Sequence, residues 1–182
     1  MLQGMGFELD PHDTCVGNKM MVDEKQCTFA WYVDDNKIFH VNPKVVTGVV
    51  NKIEERFGKM TVTRGKQHVL GGMNVVYLYN GTAEISMPDY VKESIAELGE
   101  CVATPSKRDL YEICEKSKVL ERSKGEIFHS IVAKLLYVSH RGHLDIQLPV
   151  AFLCTRVSCS TEQDWTKLKR VLEYLNGTLE DV

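Results

Sequence analysis

Asp34 and Asp35 are the side chains best placed to do chemistry, because they stand together between two runs of strand-forming residues. Phe29, Ala30, Trp31, Tyr32 and Val33 lead up to them, and Ile38-Phe39-His40-Val41 leads away. Strand formers on both sides of a polar Asp34-Asp35-Asn36 tip predict a tight β-hairpin within Thr28–Val41. Along a strand neighbouring residues face opposite ways, but at a turn two adjacent carboxylates can aim into one solvent-facing pocket. Like charges that close repel, and a divalent cation is the usual relief. The plainer expectation is a turn and nothing more, since Asp favours turns through local hydrogen bonds.

The neighbouring segments must hold that hairpin in place. Asn42-Pro43 predicts a capped helix start, followed by Val45, Val46, Val49, Val50, Ile53 and Phe57 at helical spacing and closed by Gly58. This helix is expected to pack its stripe beneath the sheet that carries Asp34 and Asp35, as support without chemistry of its own. Before the hairpin, Asp10-Pro11 and Gly17-Asn18 read as turns within Phe7–Val22, which predicts two short strands. Leu2–Phe7 reads as the end of a helix with no cap before it, which implies a chain cut from something longer.

Downstream, Asn80-Gly81 between Val69–Leu78 and Thr82–Met87 predicts a second hairpin. From Pro88 the period becomes helical, with Tyr90, Val91, Ser94, Ile95 and Leu98 on one face and Gly99 at the end. Ala103–Gly125 is polar and reads as a long connection. Three helices are expected after it. The first is Glu126–Arg141, with Ile127, Ile131, Leu135 and Val138 inward and Phe128, Val132, Leu136 and Tyr137 widening the face. The second runs from Asp145 to about Val157, with Pro149 near its start. The third begins at Ser160 in capping-box spacing with Gln163 and carries Trp165, Leu168, Val171, Leu172 and Leu175 inward. Trp165 and Tyr174 read as packing residues. The expected fold class is α+β, with residues 1–87 as one domain and the helical 88–182 as another.

Composition bounds the partners. The 182 residues are 43% hydrophobic and 26% charged, ordinary for a globular chain. A net charge of −3 argues mildly against a nucleic-acid surface, although basic clusters stand at Lys59/Arg64/Lys66, Lys107-Arg108, Lys116–Lys124 and Lys167/Lys169/Arg170. Each cluster is as readily a solvated face. The six cysteines lack metal-ligand or disulfide spacing and predict reduced, mostly buried thiols in an intracellular protein. No apolar run approaches the roughly 20 residues that span a bilayer.

The order of the motifs is more specific than any one of them. Gly6-Phe7 with Asp13 and Cys15, then Tyr32-Val33-Asp34-Asp35, then Glu55-Arg56-Phe57, resembles the copia-type (Pseudoviridae) reverse transcriptase of LTR retrotransposons. The similarity continues through Leu70-Gly71-Gly72-Met73, Ile85-Ser86-Met87-Pro88-Asp89-Tyr90, Ala103-Thr104-Pro105 and Leu135-Leu136-Tyr137. It closes on the run from Arg170 to Thr178. The resemblance implies the carboxy-terminal part of a polymerase palm, followed by a helical thumb and connection. It makes Asp34 a direct ligand, and Asp35 a supporting ligand, of two magnesium ions, with manganese an acceptable substitute. Tyr32 and Val33 would lie near the primer terminus, and the hairpin of Gly72 and Met73 would be the primer grip. The implied partners are an RNA or DNA primer-template, dNTPs, upstream fingers with the remaining palm, and a downstream RNase H domain. The implied location is a cytoplasmic virus-like particle or the nucleus.

The chain departs from that pattern in four ways. The family's third carboxylate is absent, Asn36-Lys37 follows the aspartates, Gly71 stands where a Leu is usual, and His143-Leu144-Asp145-Ile146 replaces Arg-Pro-Asp-Ile. These departures also fit a catalytically inactive remnant that at most binds nucleic acid. A two-metal nuclease using Glu24, His40 or His68 beside Asp34 and Asp35 is a third, weaker expectation.

Overall fold

The computed structural model describes residues 1–95 and 101–179 of a mixed α+β chain. It divides into two units, Met1–Arg64 and Gly65–Val182, each with its own apolar core. The sequence reading set its boundary at 87/88 instead. The difference is the second sheet, whose last strand leads directly into Met87 and Val91, members of the helical core.

In the first unit, β1 (Glu8–Leu9), β2 (Val16–Met20), β3 (Gln26–Tyr32) and β4 (Asp35–Phe39) form an antiparallel sheet in chain order. Gly17-Asn18 lies inside β2 and is not a turn. The register Val16↔Ala30 and Asn18↔Thr28 carries the ladder straight through it. Alternation sorts β3 into two faces. Cys27 and Phe29 are buried, with Trp31 and Ile38 packed beside them, while Thr28, Ala30 and Tyr32 take the other face. Helix α1 (Pro43–Phe57) is capped by the Asn42 side chain, which accepts from the Lys44 amide at 3.0 Å, and it ends at Gly58. Its buried Val49 and Ile53 meet Phe7, Cys27 and Phe29 in one cluster. Phe57, expected on that stripe, is exposed. Below it, Glu54 takes the Lys59 ammonium at 2.9 Å and the Met60 amide at 3.2 Å, bonds that hold its carboxyl below the ordinary value.

The second unit opens with β5 (Gln67–Leu70), β6 (Met73–Tyr77) and β7 (Ala83–Ser86), again antiparallel in chain order. Helices α2 (Pro88–Ile95), α3 (Arg122–Ser139), α4 (Gln147–Cys154) and α5 (Glu162–Gly177) follow. The expected Leu98 and Gly99 lie outside the described residues. Helix α3 buries Phe128, Val132, Leu135 and Val138, whereas Ile127 and Leu136 face outward. The apolar stripe is thus rotated from the expected one, and the helix starts earlier, running through Gly125. Pro149 sits in the first turn of α4, where its missing N–H breaks no helical bond. All six cysteines are free thiols. Only Cys27 is buried, its pKa raised by desolvation, while Cys15, Cys101, Cys114 and Cys159 are exposed, contrary to the mostly buried set expected. Among the described residues no helix is long and apolar enough to cross a membrane.

The start of α5 anchors the second unit. Its capping box is Thr161 with Asp164, one residue beyond the expected Ser160 and Gln163. The Asp164 carboxylate, nearly inaccessible, accepts from the Thr161 amide and hydroxyl at 2.9 Å each and pairs with Arg156 Nε at 3.2 Å. Gln163 instead reaches the preceding connection, accepting from the Cys114 amide at 2.8 Å. Removing the carboxylate leaves a half-buried guanidinium and the Thr161 amide and hydroxyl donors unmet. Asp164→Ala is therefore expected to cost the second unit about 3 kcal/mol, and Thr161→Ala about 1 kcal/mol. Urea unfolding followed by Trp165 fluorescence in a Trp31→Phe background checks both, and equal midpoints for Asp164→Ala and its Trp31→Phe parent would refute the assignment.

Candidate active-site hairpin

Strands β3 and β4 pair from Thr28↔Phe39 to Tyr32↔Asp35, which leaves Val33 and Asp34 as the whole connection. The tip is therefore one residue earlier than the expected Asp34-Asp35-Asn36. A two-residue link matches the right-handed twist of its strands only with positive φ at its first central position, a place glycine usually fills. Val33 occupies it with φ 56°. For a β-branched residue that backbone is a genuine outlier, costing on the order of 1–3 kcal/mol. The five-position ladder and the burial of Cys27 and Phe29 behind it hold the strain in place.

This geometry fixes the acids. Asp34 is the second turn residue and Asp35 the first of β4, so they are adjacent and both exposed. Asp35 is opposite Tyr32, and this cross-strand pair shares the sheet face turned away from α1, together with Ala30 and Lys37. Asn36 on the other face donates its amide to the Asp34 carbonyl at 3.2 Å, closing the turn. Lys37 is half-buried, and loss of water around its ammonium lowers its pKa. Among the described residues neither aspartate's carboxylate accepts a hydrogen bond or pairs with a cation, so both keep their oxygens available. Tyr32 and Val33 flank them, 52% and 86% exposed.

Such a pair has the hard-oxygen chemistry that magnesium or manganese takes. It is too small a set to enclose an ion. Among the described residues no three His, Cys, Asp or Glu side chains converge as a metal cage. The donor type fits a divalent cation, and the donor number requires a further ligand. The nuclease candidates do not supply one. Glu24 and His40 lie at the opposite end of β3 and β4, about 20 Å along the strands. The His40 ring accepts from the Asn42 amide at 2.9 Å and turns its other nitrogen to Asp23 at 3.5 Å. His68 belongs to the second unit and bonds the Gly65 carbonyl at 2.9 Å.

Gly72 and Met73 sit at the turn between β5 and β6. Gly71 and Gly72 have φ of 55° and 76°, both left-handed, which suits a type I′ link. A leucine at 71 would be strained, so the glycine there builds the turn and leaves no hole in a strand. Met73 packs on the helical core, and Tyr137 donates its hydroxyl to the Gly71 carbonyl. His143, another departure, is buried with Nδ1 3.4 Å from Asp145, whose other oxygen accepts from the Tyr174 hydroxyl. The sequence places Asp34 and Asp35 at a turn with Tyr32 and Val33 leading up to it, and reads Gly72 and Met73 inside the strand run Val69–Leu78, where the structure has a turn. Sequence reasoning missed the special backbone of Val33, whose only signal was the two-residue gap in the register.

Relieving the strain should be measurable. Val33→Gly is expected to stabilise the first unit by about 1 kcal/mol. Trp31 fluorescence in a Trp165→Phe background reads that unit alone, since the chain has two tryptophans; a lower midpoint for the glycine variant would contradict a left-handed Val33. In comparisons with known proteins, no family model, no curated protein and no solved structure matches this chain.

Proposed function

We propose that the chain carries the catalytic hairpin of an RNA-directed DNA polymerase of the copia type. The observation that supports this reading is a pair of adjacent, exposed carboxylates, unpaired among the described residues, held at a two-residue turn by a left-handed valine. Backbone strain at an exposed polar tip is retained where surrounding structure over-determines it, and such places are commonly functional.

In this reading Asp34 and Asp35 supply carboxylate oxygens to two magnesium ions at the primer terminus. When bound, those ions stabilise the charge that develops as a 3′-hydroxyl attacks an α-phosphate and pyrophosphate leaves. The chain's own residues position the reactants. Tyr32 lays an exposed ring opposite Asp35 at the hairpin end, where a sugar or base can rest against it. Among the described residues β4 is an edge strand, and its outer side can take a further strand bringing the third carboxylate. The turn at Gly72-Met73 would serve as primer grip, and the helices from Pro88 onward as thumb and connection.

A second reading has one observation in its favour, the absence of a third ligand among the described residues. On that reading the chain is an inactive remnant that at most binds nucleic acid.

Primer extension with magnesium, on the chain extended upstream, separates the two. Polymerase activity is expected, with Asp34→Asn lowering the rate at least about a hundredfold, equivalent to about 2.7 kcal/mol of transition-state stabilisation. An unaffected rate in that variant would overturn the assignment. Salt-dependent primer-template binding without extension would favour the remnant.

A further inference from the structure

The first unit holds a small hollow that the hairpin chemistry does not use, at the end of the sheet away from the Val33-Asp34 turn. Val45, Gly48, Val49 and Lys52 of α1 form one wall, at the spacing that puts them on a single helix face. Met5, Phe7, Lys19 and Met21 form the other wall, and the space between is about 170 Å³. Every one of these residues lies in Met1–Arg64.

Gly48 opens this space. Glycine inside a helix is destabilising relative to alanine, because it fixes a freer backbone and packs nothing. Packing does not require it here, since a Cβ at 48 would meet no atom within 4 Å. The gap stands beside Phe7 and Val49, which are themselves buried in the core of the unit. Met5 and Met21, flexible and polarizable, are suited to close on an apolar body of irregular shape. A dry hollow of about 150 Å³ takes a benzene-sized body, so this one has room for about six or seven carbon atoms.

Charge sets the other end of the ligand. The lining carries two lysines and no acidic residue, a net +2. The two are not equivalent. The Lys19 ammonium is held by the Met5 carbonyl at 2.5 Å and stands 6.0 Å from the centre of the Phe7 ring. Lys52 is exposed and, among the described residues, makes neither a hydrogen bond nor an ion pair. One open ammonium beside an apolar hollow suits a single negative charge on a short apolar body. A phosphomonoester, at about −1.5 to −2, would bring more charge than Lys52 meets. An amine would be repelled by both lysines.

We propose that the hollow between α1 and the Met5–Phe7 and Lys19–Met21 segments binds a small apolar monocarboxylate. Its body lies against Met5, Met21 and the bare backbone of Gly48, and its carboxylate lies on the Lys52 ammonium. The site uses neither aspartate of the hairpin, and its test reads neither metal nor primer.

Methyl NMR of the full chain labelled at methionine, titrated with hexanoate and with benzoate at matched ionic strength, tests the proposal. Of the seven methionines, Met5 and Met21 are expected to shift. The shifts should saturate with a dissociation constant of about 1 mM or below, and hexanol, which lacks the charge, should bind at least about tenfold more weakly. Tighter binding of benzoate than of hexanoate would mark an aromatic body, and the reverse an aliphatic one. Lys52→Gln, at an exposed position, is expected to bring hexanoate down to the level of hexanol. Gly48→Leu fills the hollow and places a better helix former in α1. Its first unit is expected to unfold at higher urea while hexanoate binding falls at least about tenfold, a combination that misfolding does not produce. The proposal is overturned by the absence of saturable shifts at Met5 and Met21 up to about 10 mM hexanoate. It is equally overturned by hexanol binding as tightly as hexanoate, or by parent-like hexanoate affinity in Lys52→Gln or in a folded Gly48→Leu.

Discussion

The two-residue link between β3 and β4 is the constraint on which the first unit depends. A ladder registered as Tyr32↔Asp35 leaves the chain two residues in which to reverse, and only a left-handed first residue lets the strands keep their twist. Valine resists that backbone. The ladder holds it there because Cys27 and Phe29 are buried, with Trp31 and Ile38 packed alongside, and a slip of one residue would turn those side chains outward. A hairpin alone is marginal in water, so the α1 stripe of Val49 and Ile53 supports the turn from below. Two aspartates left adjacent, exposed and, among the described residues, unpaired are the consequence.

The second unit rests on a different kind of contact. Its helical core is apolar and continuous, from Met87 and Val91 through Phe128 and Leu135 to Leu168 and Leu175. Its polar anchoring is concentrated where α5 begins. There Asp164 satisfies Thr161 and Arg156, and residues 114–120 are tied to residues 160–163 through the Leu120 amide, the Ser117 hydroxyl and the Cys114 amide. A long connection without regular structure keeps one course because its backbone groups find partners on the helix. The basic run on α5 is drawn into the same arrangement, since Lys167 holds the Leu110 carbonyl and Arg170 the Thr104 hydroxyl.

Where sequence and structure agree, a local signal matched the tertiary demand. Asn42-Pro43 and Gly58 bound α1 because capping and preorganised backbone act within a few residues. The strands on either side of Tyr32-Val33-Asp34-Asp35 were equally legible. The tip was not, because Val33 is a strand former by propensity and enters the turn only through the register of its neighbours. Gly71-Gly72 was read through as strand, although two glycines in succession suit a link that needs two left-handed residues. Gly125 closes the expected connection 103–125 but sits inside α3, where packing outweighs its cost. The outward turn of Ile127 and Leu136 depends on which helices lie beside α3, which no periodicity reveals. The hollow against α1 left no trace in the sequence, because its two walls come from residues 5–21 and 45–52, which only the fold brings together.

The claim that the tip of the β3–β4 hairpin is a divalent-cation site can be tested without any polymerase assay. Manganese is paramagnetic and broadens amide resonances close to wherever it binds. Titrated into the ¹⁵N-labelled chain, it should first broaden the amides of Tyr32, Val33, Asp34 and Asp35, and the effect should disappear in Asp34→Asn. Broadening scattered over the other carboxylates, with the hairpin tip spared, would contradict the account.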